Sequence, residues 1–192
     1  LNIPNGIDLP RMEKVRAARG AEIPQSACLI GRVVPIKDVK TFLRAMRPLV
    51  NEIPDAKGWI AGPEDEDKEY AAECRSLVTS LGLEKNVEFL GFQKIDELLP
   101  KVGVIVLSSI SEALPLVLLE GFAAGVPAVS TDVGSCRQLI EGLDEEDRAF
   151  GKAGSVVGIA DPEALGKAVA TLLSDSQAWH DAQQAGLRRV ET

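Results

Sequence analysis

Short apolar runs alternate with amphipathic stretches along most of this chain, and that alternation constrains the fold more than any other feature of the sequence. Ala27 to Val34 reads as a buried strand, and Val39 to Val50 follows it with Phe42, Leu43, Met46, Leu49 and Val50 on one helical face. The scheme then repeats. Gly58 to Ala61 is a short strand ending at Gly62-Pro63, and Asp67 to Leu81 a helix stopped by Gly82. Val87 to Leu90 is a third strand, Asp96 to Lys101 a short helix, and Val102 to Leu107 a fourth strand of unbroken apolar character. Pro115 to Ala124 is predicted helical, with Pro115 in a first turn where its missing N–H goes unused. Val126 to Ser130 and Ser155 to Val157 complete the strands, and helices over Asp161 to Ser174 and Ser176 to Val190 close the chain.

Strands separated by helices of this length require right-handed crossovers, hence a parallel sheet covered on both faces. The predicted fold class is therefore α/β, a doubly wound parallel sheet of about six strands with helices on both faces. Ligands of such sheets bind beyond the carboxyl ends of the strands, so the loops that follow strands are the places to look for chemistry. The acidic stretches Glu64 to Glu69 and Glu141 to Arg148 read as solvated loops.

Composition narrows the function. The 192 residues are 45% hydrophobic, enough for one well-filled core, and no apolar run approaches the roughly 20 residues of a membrane helix. The opening lacks the features of a signal peptide, so a cytoplasmic location is expected. A formal charge of −8 argues against a broad grip on nucleic acid while leaving room for a local site for a small diphosphate. Cys28, Cys74 and Cys136 are widely spaced, with no CxxC pair, and read as reduced thiols. His180, the sole histidine, falls in the last helix and reads as a surface residue, and Trp59 and Trp179 as packing residues. The chain opens without Met on a turn-rich stretch and stops at Thr192 inside a helical pattern, which predicts an excised fragment. No cluster of His, Asp or Glu has metal-ligand spacing, and neither a G-x-G-x-x-G nor a P-loop sequence is present.

Two segments carry candidate chemistry. Gly31-Arg32-Val33-Val34-Pro35-Ile36-Lys37 follows the first strand, and the fork of Arg32 and the point charge of Lys37 can converge on one anion. Two solvated loop charges are the plainer alternative. The second segment runs from Ser111 to Glu120. Glu112 precedes the helix and Glu120 lies within its apolar sequence, roughly 7 to 8 Å along the axis if the helix starts near Pro115. The free N–H groups of Leu116 and Val117 would then point outward as a phosphate site. Pairing with a neighbouring cation or a favourable charge at a helix start would also account for these carboxylates.

Glu112 and Glu120 resemble the E-x7-E motif of retaining glycosyltransferases of the GT-B fold, family four type. Arg32 and Lys37 resemble that family's basic pair, and Pro4-Asn5-Gly6-Ile7-Asp8 its interdomain sequence. Gly91-Phe92-Gln93 and the stretch Gly121 to Pro127 also match in order, so the resemblance covers nearly the whole chain. Gly62 to Asp67 and Asp132 to Ile140 are similar to the Pel exopolysaccharide glycosyltransferases.

The resemblance implies a linker over 1–24, a nucleotide-sugar donor domain over 25–192, and an N-terminal acceptor domain outside this chain. It implies that Glu120 holds the ribose, Glu112 the transferred sugar, and Arg32 and Lys37 the diphosphate with the help of the Leu116 and Val117 amides, Gly31 and Pro115 being further donor-binding residues. Backbone at Phe92 or Gln93 would read the base. The implied activity is hexose transfer from a UDP-sugar, UDP-glucose first, to a growing exopolysaccharide, with no metal or other cofactor. A polysaccharide-synthesis complex at the membrane would be a further partner, and the fragment alone would not transfer sugar. Three positions depart from the family pattern: Ala113 and Asp38 replace glycines, Asp38 being expected to pair with a loop cation, and Gly134-Ser135 stands for a glycine pair. An epimerase or phosphorylase of the same fold and a non-catalytic nucleotide-binding module are the alternatives.

Overall fold

The computed structural model describes residues 6–191, so Pro4 and Asn5 of the interdomain sequence lie outside the described residues. In chain order the elements are α1 (Leu9–Ala17), β1 (Ser26–Ile30), α2 (Val39–Glu52), β2 (Lys57–Ala61), α3 (Lys68–Ser80), β3 (Val87–Gly91), α4 (Ile95–Leu98), β4 (Val104–Leu107), α5 (Leu116–Ala123), β5 (Ala128–Thr131), α6 (Cys136–Glu141), α7 (Glu145–Arg148), β6 (Gly154–Val157), α8 (Pro162–Ser174) and α9 (Ser176–Glu191). Single 3-10 turns cover Pro35–Lys37 and Leu99–Lys101.

The six strands form one sheet in the order β3-β2-β1-β4-β5-β6, with every pairing parallel. Alternate residues of each strand serve opposite faces. Ala27 and Leu29 of β1 and Val104 and Val106 of β4 meet Phe42, Leu43 and Met46 of α2, Cys74 of α3 and Val169 of α8 on one face. Cys28, Ile105 and Leu107 meet Met12 of α1, Leu118 and Phe122 of α5 and Ile140 of α6 on the other. The chain is thus a three-layer α/β domain with a core on each side of the sheet.

Aspartate caps start most of the longer helices. Asp8, Asp67 and Asp161 accept from the backbone N–H three residues ahead at 3.0, 2.9 and 2.9 Å, opening α1, α3 and α8. Trp179 is buried and its indole N–H donates to the Gly103 carbonyl at 2.8 Å, while His180 is exposed. The three cysteines are buried free thiols.

The sequence expectations need correction in several places. The stretch read as a linker, 1–24, contains α1, whose Met12 and Val15 are buried in the second core. The expected first strand ends at Ile30 because the chain turns after Gly31. The acidic stretches are not plain solvated loops. Asp67 caps α3, Glu64 and Glu66 hold Arg75 and Arg32, and 141–148 includes the end of α6 and all of α7. One-turn helices carry too few residues for periodicity to register.

Candidate active site

The strand order reverses direction between β1 and β4. The connection leaving β1 leads into α2 on one face, and that leaving β4 leads into α5 on the other, so the two loops diverge and leave a crevice at the carboxyl ends. A cavity of about 300 Å³ occupies this point. Leu29, Ile30 and Leu107 form its floor, Lys37, Ser109 and Glu112 its polar wall, and Pro115, Leu116 and Val117 its third side.

The loop after β1 is shaped by close backbone contacts. Gly31 N–H donates to the Ala61 carbonyl at 2.9 Å and Val33 N–H to the Pro63 carbonyl at 3.0 Å. A Cβ at Gly62 would stand 1.8 Å from the Gly31 carbonyl oxygen, so only glycine permits this approach. The 3-10 turn then lays the Lys37 chain across Gly31 and brings Lys37 Nζ onto Glu112 Oε1.

Asp38 departs from the expectation that it pairs with a loop cation. Its φ of 43° explains why glycine suits the position, and its carboxylate caps α2, accepting from Thr41 N–H at 3.3 Å and Thr41 Oγ1 at 2.6 Å. Asparagine and aspartate tolerate this backbone region because the short polar side chain bonds locally. Arg32 is turned to the rim, where its guanidinium holds both Glu66 oxygens at 2.6 and 2.7 Å. The structure therefore brings Lys37 and Glu112 together in the cavity and leaves Arg32 outside its lining.

The loop carrying Glu112 is fastened on both flanks. Ser108 Oγ donates to the Lys37 carbonyl at 3.0 Å and Ile110 N–H to the Ile36 carbonyl at 3.0 Å, joining it to the loop after β1. Toward β5, Thr131 Oγ1 donates to the Ser109 carbonyl at 2.6 Å, and Ser135 donates to the Ala113 carbonyl through N–H at 3.1 Å and Oγ at 2.9 Å. Ser109 Oγ donates to Glu112 Oε1 at 2.7 Å.

Helix α5 begins at Leu116, one residue later than expected, with Pro115 extended at its N-cap. Proline has no side-chain acceptor, so no side chain caps the first turn and the positive end of the helix faces the cavity. One turn further, Glu120 is partly buried, and burial pushes its carboxyl above the usual range. Arg11 of α1 opposes this and Asp96 of α4 adds to it. Arg11 and Asp96 themselves pair at 2.7 Å. Glu120 has no ion-pair or hydrogen-bond partner for its carboxylate among the described residues.

Phe92 and Gln93 follow the edge strand β3, which β2 separates from β1, and they do not line the cavity. Phe92 is 81% exposed, and Gln93 Nε2 donates to the Leu90 carbonyl at 2.8 Å. Reasoning from sequence missed Ser109 and Arg11, and it singled out Gly134-Ser135 only as a departure from the family pattern, without their contacts to the Glu112 loop. Ser109 lies three residues before Glu112 and could have been suspected from that spacing, whereas the others reach the site only through the fold. Among the described residues no helix is long and apolar enough to cross a membrane, and no three His, Cys, Asp or Glu side chains are grouped to hold a metal ion.

A parallel sheet in this order with a charged cavity at its reversal point defines a Rossmann-like, doubly wound ligand-binding domain. The chain belongs to the glycosyl transferases group 1 family, which it matches over residues 13–189. It is 31% identical over 168 residues to the D-inositol 3-phosphate glycosyltransferase of Corynebacterium urealyticum, covering 83% of this chain and 38% of that protein. It is 37% identical over 149 residues to an exopolysaccharide phosphotransferase of Streptomyces coelicolor, covering 75% of this chain and 14% of that one. The chain thus spans well under half the length of these relatives. The crystal structure of HepE from Anabaena in complex with UDP and glucose superposes with a TM-score of 0.81 at 21% identity, covering 97% of this chain and 51% of that one.

Proposed function

We propose that this chain is the donor-binding domain of a retaining hexosyltransferase that uses a UDP-sugar, UDP-glucose first, to extend an exopolysaccharide. The observation that carries this reading is the meeting of Lys37, Glu112 and the uncapped start of α5 in one cavity at the strand-order reversal. Family membership and the fold shared with a UDP-bound neighbour agree with it.

In the proposed reaction an acceptor hydroxyl oxygen bonds to the anomeric carbon, on the face from which the diphosphate departs, as the bond between that carbon and the diphosphate breaks; the diphosphate leaves with the bonding pair and takes up the hydroxyl proton. Lys37 and the Leu116 and Val117 amides stabilise the charge that develops there, as preorganised donors in a sheltered site. Arg32 joins them by exchanging Glu66 for phosphate, a small loss because exposed pairs contribute roughly 0 to 1 kcal/mol. Glu112 accepts hydrogen bonds from hydroxyls of the sugar. Glu120 accepts them from the ribose, and the backbone at Phe92 or Gln93 borders the base. The acceptor is held by an N-terminal domain outside residues 1–192, so transfer needs that domain. No metal is required, and the protein works in the cytoplasm beside a membrane-bound polysaccharide-synthesis complex of the Pel kind.

A thermal-shift panel of UDP, GDP, ADP and their hexose conjugates tests the donor. UDP at a hundredfold excess over its Kd should stabilise the chain by about 2.7 kcal/mol. Chelator should leave that shift unchanged. Stabilisation by GDP or ADP but not by UDP would overturn the uridine assignment.

A further inference from the structure

Ser109 is 1% exposed, yet its hydroxyl is not spent on the backbone, where short polar side chains at strand ends usually bond. It donates to Glu112 Oε1 at 2.7 Å. The residue that makes this contact is itself held twice. It follows β4 by two positions, and its carbonyl accepts from Thr131 Oγ1, at the buried end of β5, at 2.6 Å. A serine has one side-chain torsion and a glutamate three, so a serine locked to two strands can fix a carboxylate that would otherwise sample several rotamers.

The distribution of donors on Glu112 is uneven. Both Ser109 Oγ and Lys37 Nζ are on Oε1, and neither is on Oε2. A carboxylate has room for about four hydrogen bonds across its two oxygens. Two donors on one oxygen set the plane of the group and leave the other oxygen available to the cavity that Glu112 lines.

We propose that Ser109 is a positioning residue for sugar recognition: by holding Glu112 Oε1 it presents Oε2 to the hydroxyls of the donor hexose. The proposal rests on the assignment of Glu112 to the sugar made above. Ser109 itself touches no substrate. Lys37 is shared with the diphosphate once a donor binds, so of the two side chains that donate to Glu112 among the described residues, Ser109 is the one dedicated to it.

The test is a titration of UDP and UDP-glucose into the full chain as wild type, Ser109→Ala, Glu112→Gln and the double variant, followed through the ratio of the two affinities. Ser109→Ala keeps the Thr131 bond, which uses the backbone, so the fold and UDP affinity should be retained. The UDP-glucose to UDP ratio should fall about tenfold, equivalent to roughly 1.4 kcal/mol. Ser109→Thr, which keeps the hydroxyl, should recover most of it. The double variant should match Glu112→Gln alone, because Ser109 acts through Glu112. An unchanged ratio in Ser109→Ala beside a reduced one in Glu112→Gln would overturn the proposal and leave the Glu112 assignment standing. Equal losses of UDP and UDP-glucose in Ser109→Ala, or additive losses in the double variant, would also overturn it. An unchanged ratio in Glu112→Gln would instead remove the assignment on which it rests.

Discussion

Gly134, in the loop after β5, lies directly against the backbone of Glu112: a Cβ at position 134 would stand 2.0 Å from the Glu112 carbonyl oxygen. Its φ of +52° adds a second reason for glycine. The loop after one strand thus sets the position of a carboxylate borne by the loop after another.

Gly134→Ala should therefore displace Glu112 and load the backbone with strain. The expected loss of stability is about 1 to 3 kcal/mol, the range for a non-glycine residue held in a sparsely populated backbone region. Binding of UDP-glucose should fall more than binding of UDP. Chemical denaturation and parallel titrations check both parts, and a variant as stable as wild type with undiminished hexose discrimination would contradict the argument.

Glu66→Gln should tighten UDP, because Glu66 holds the Arg32 fork that the diphosphate is proposed to take over. Arg32→Ala should weaken UDP far more than uridine. Both substitutions should change stability by less than about 1 kcal/mol, since the pair is half exposed. Calorimetry with uridine and UDP separates the phosphate contribution from the rest. Unaltered UDP affinity in both variants would confine Arg32 to the surface.

Glu120→Gln should weaken UDP and UDP-glucose alike, by about 1.5 to 3 kcal/mol for lost hydrogen bonds to a charged acceptor. Its stability effect has the opposite sign. Burial raises the folded carboxyl above its unfolded value, so the folded state binds this proton more tightly, and stability declines as pH rises through the interval between the two values. At neutral pH the ionised Glu120 is a burden that the amide relieves. Glu120→Gln should accordingly be at least as stable as wild type at pH 7 while binding UDP less well. UDP affinity of the wild type should begin to fall at a higher pH, on acidification, than an exposed glutamate would dictate. Thermal melts and titrations from pH 4.5 to 8 measure each, and a destabilised Glu120→Gln at pH 7 would reverse the argument.

Asp147 should govern part of the acid limb of stability. Burial would raise its carboxyl, but the Arg189 bond at 2.6 Å and the Leu143 N–H bond at 2.8 Å outweigh that and hold it below the usual value. A depressed folded value means stability present above the unfolded value, near pH 4, and lost as pH falls toward the folded one. Asp147→Asn should lower stability at pH 7 by about 1.5 to 3 kcal/mol and flatten the dependence below pH 4. The Arg189 carbonyl contacts to Ile140 and Gly151, at 2.7 and 2.8 Å, remain and keep the guanidinium solvated. Denaturation at a series of pH values checks it, and parallel acid limbs in the two proteins would count against the pair.

Much of this protein was legible in its residues taken in order. The six strands and the long helices follow from runs such as Val104–Leu107 and faces such as Phe42, Leu43 and Met46, because periodicity is a local property and burial on both sides of a parallel sheet imposes it. Lys37, Glu112 and the start of α5 were legible as well, because they sit in loops that follow strands. Tertiary structure alone decided which of these residues share a cavity. It turned Arg32 to Glu66 and Asp38 to the cap of α2, folded part of the presumed linker into α1 so that Arg11 faces Glu120, and set Gly134 and Thr131 against the Glu112 loop. The physical reason is distance along the chain. A helix or strand is chosen by neighbours a few residues away, whereas the contacts of Thr131 with Ser109 and of Arg32 with Glu66 span 22 and 34 positions and exist only once the strand order has been set.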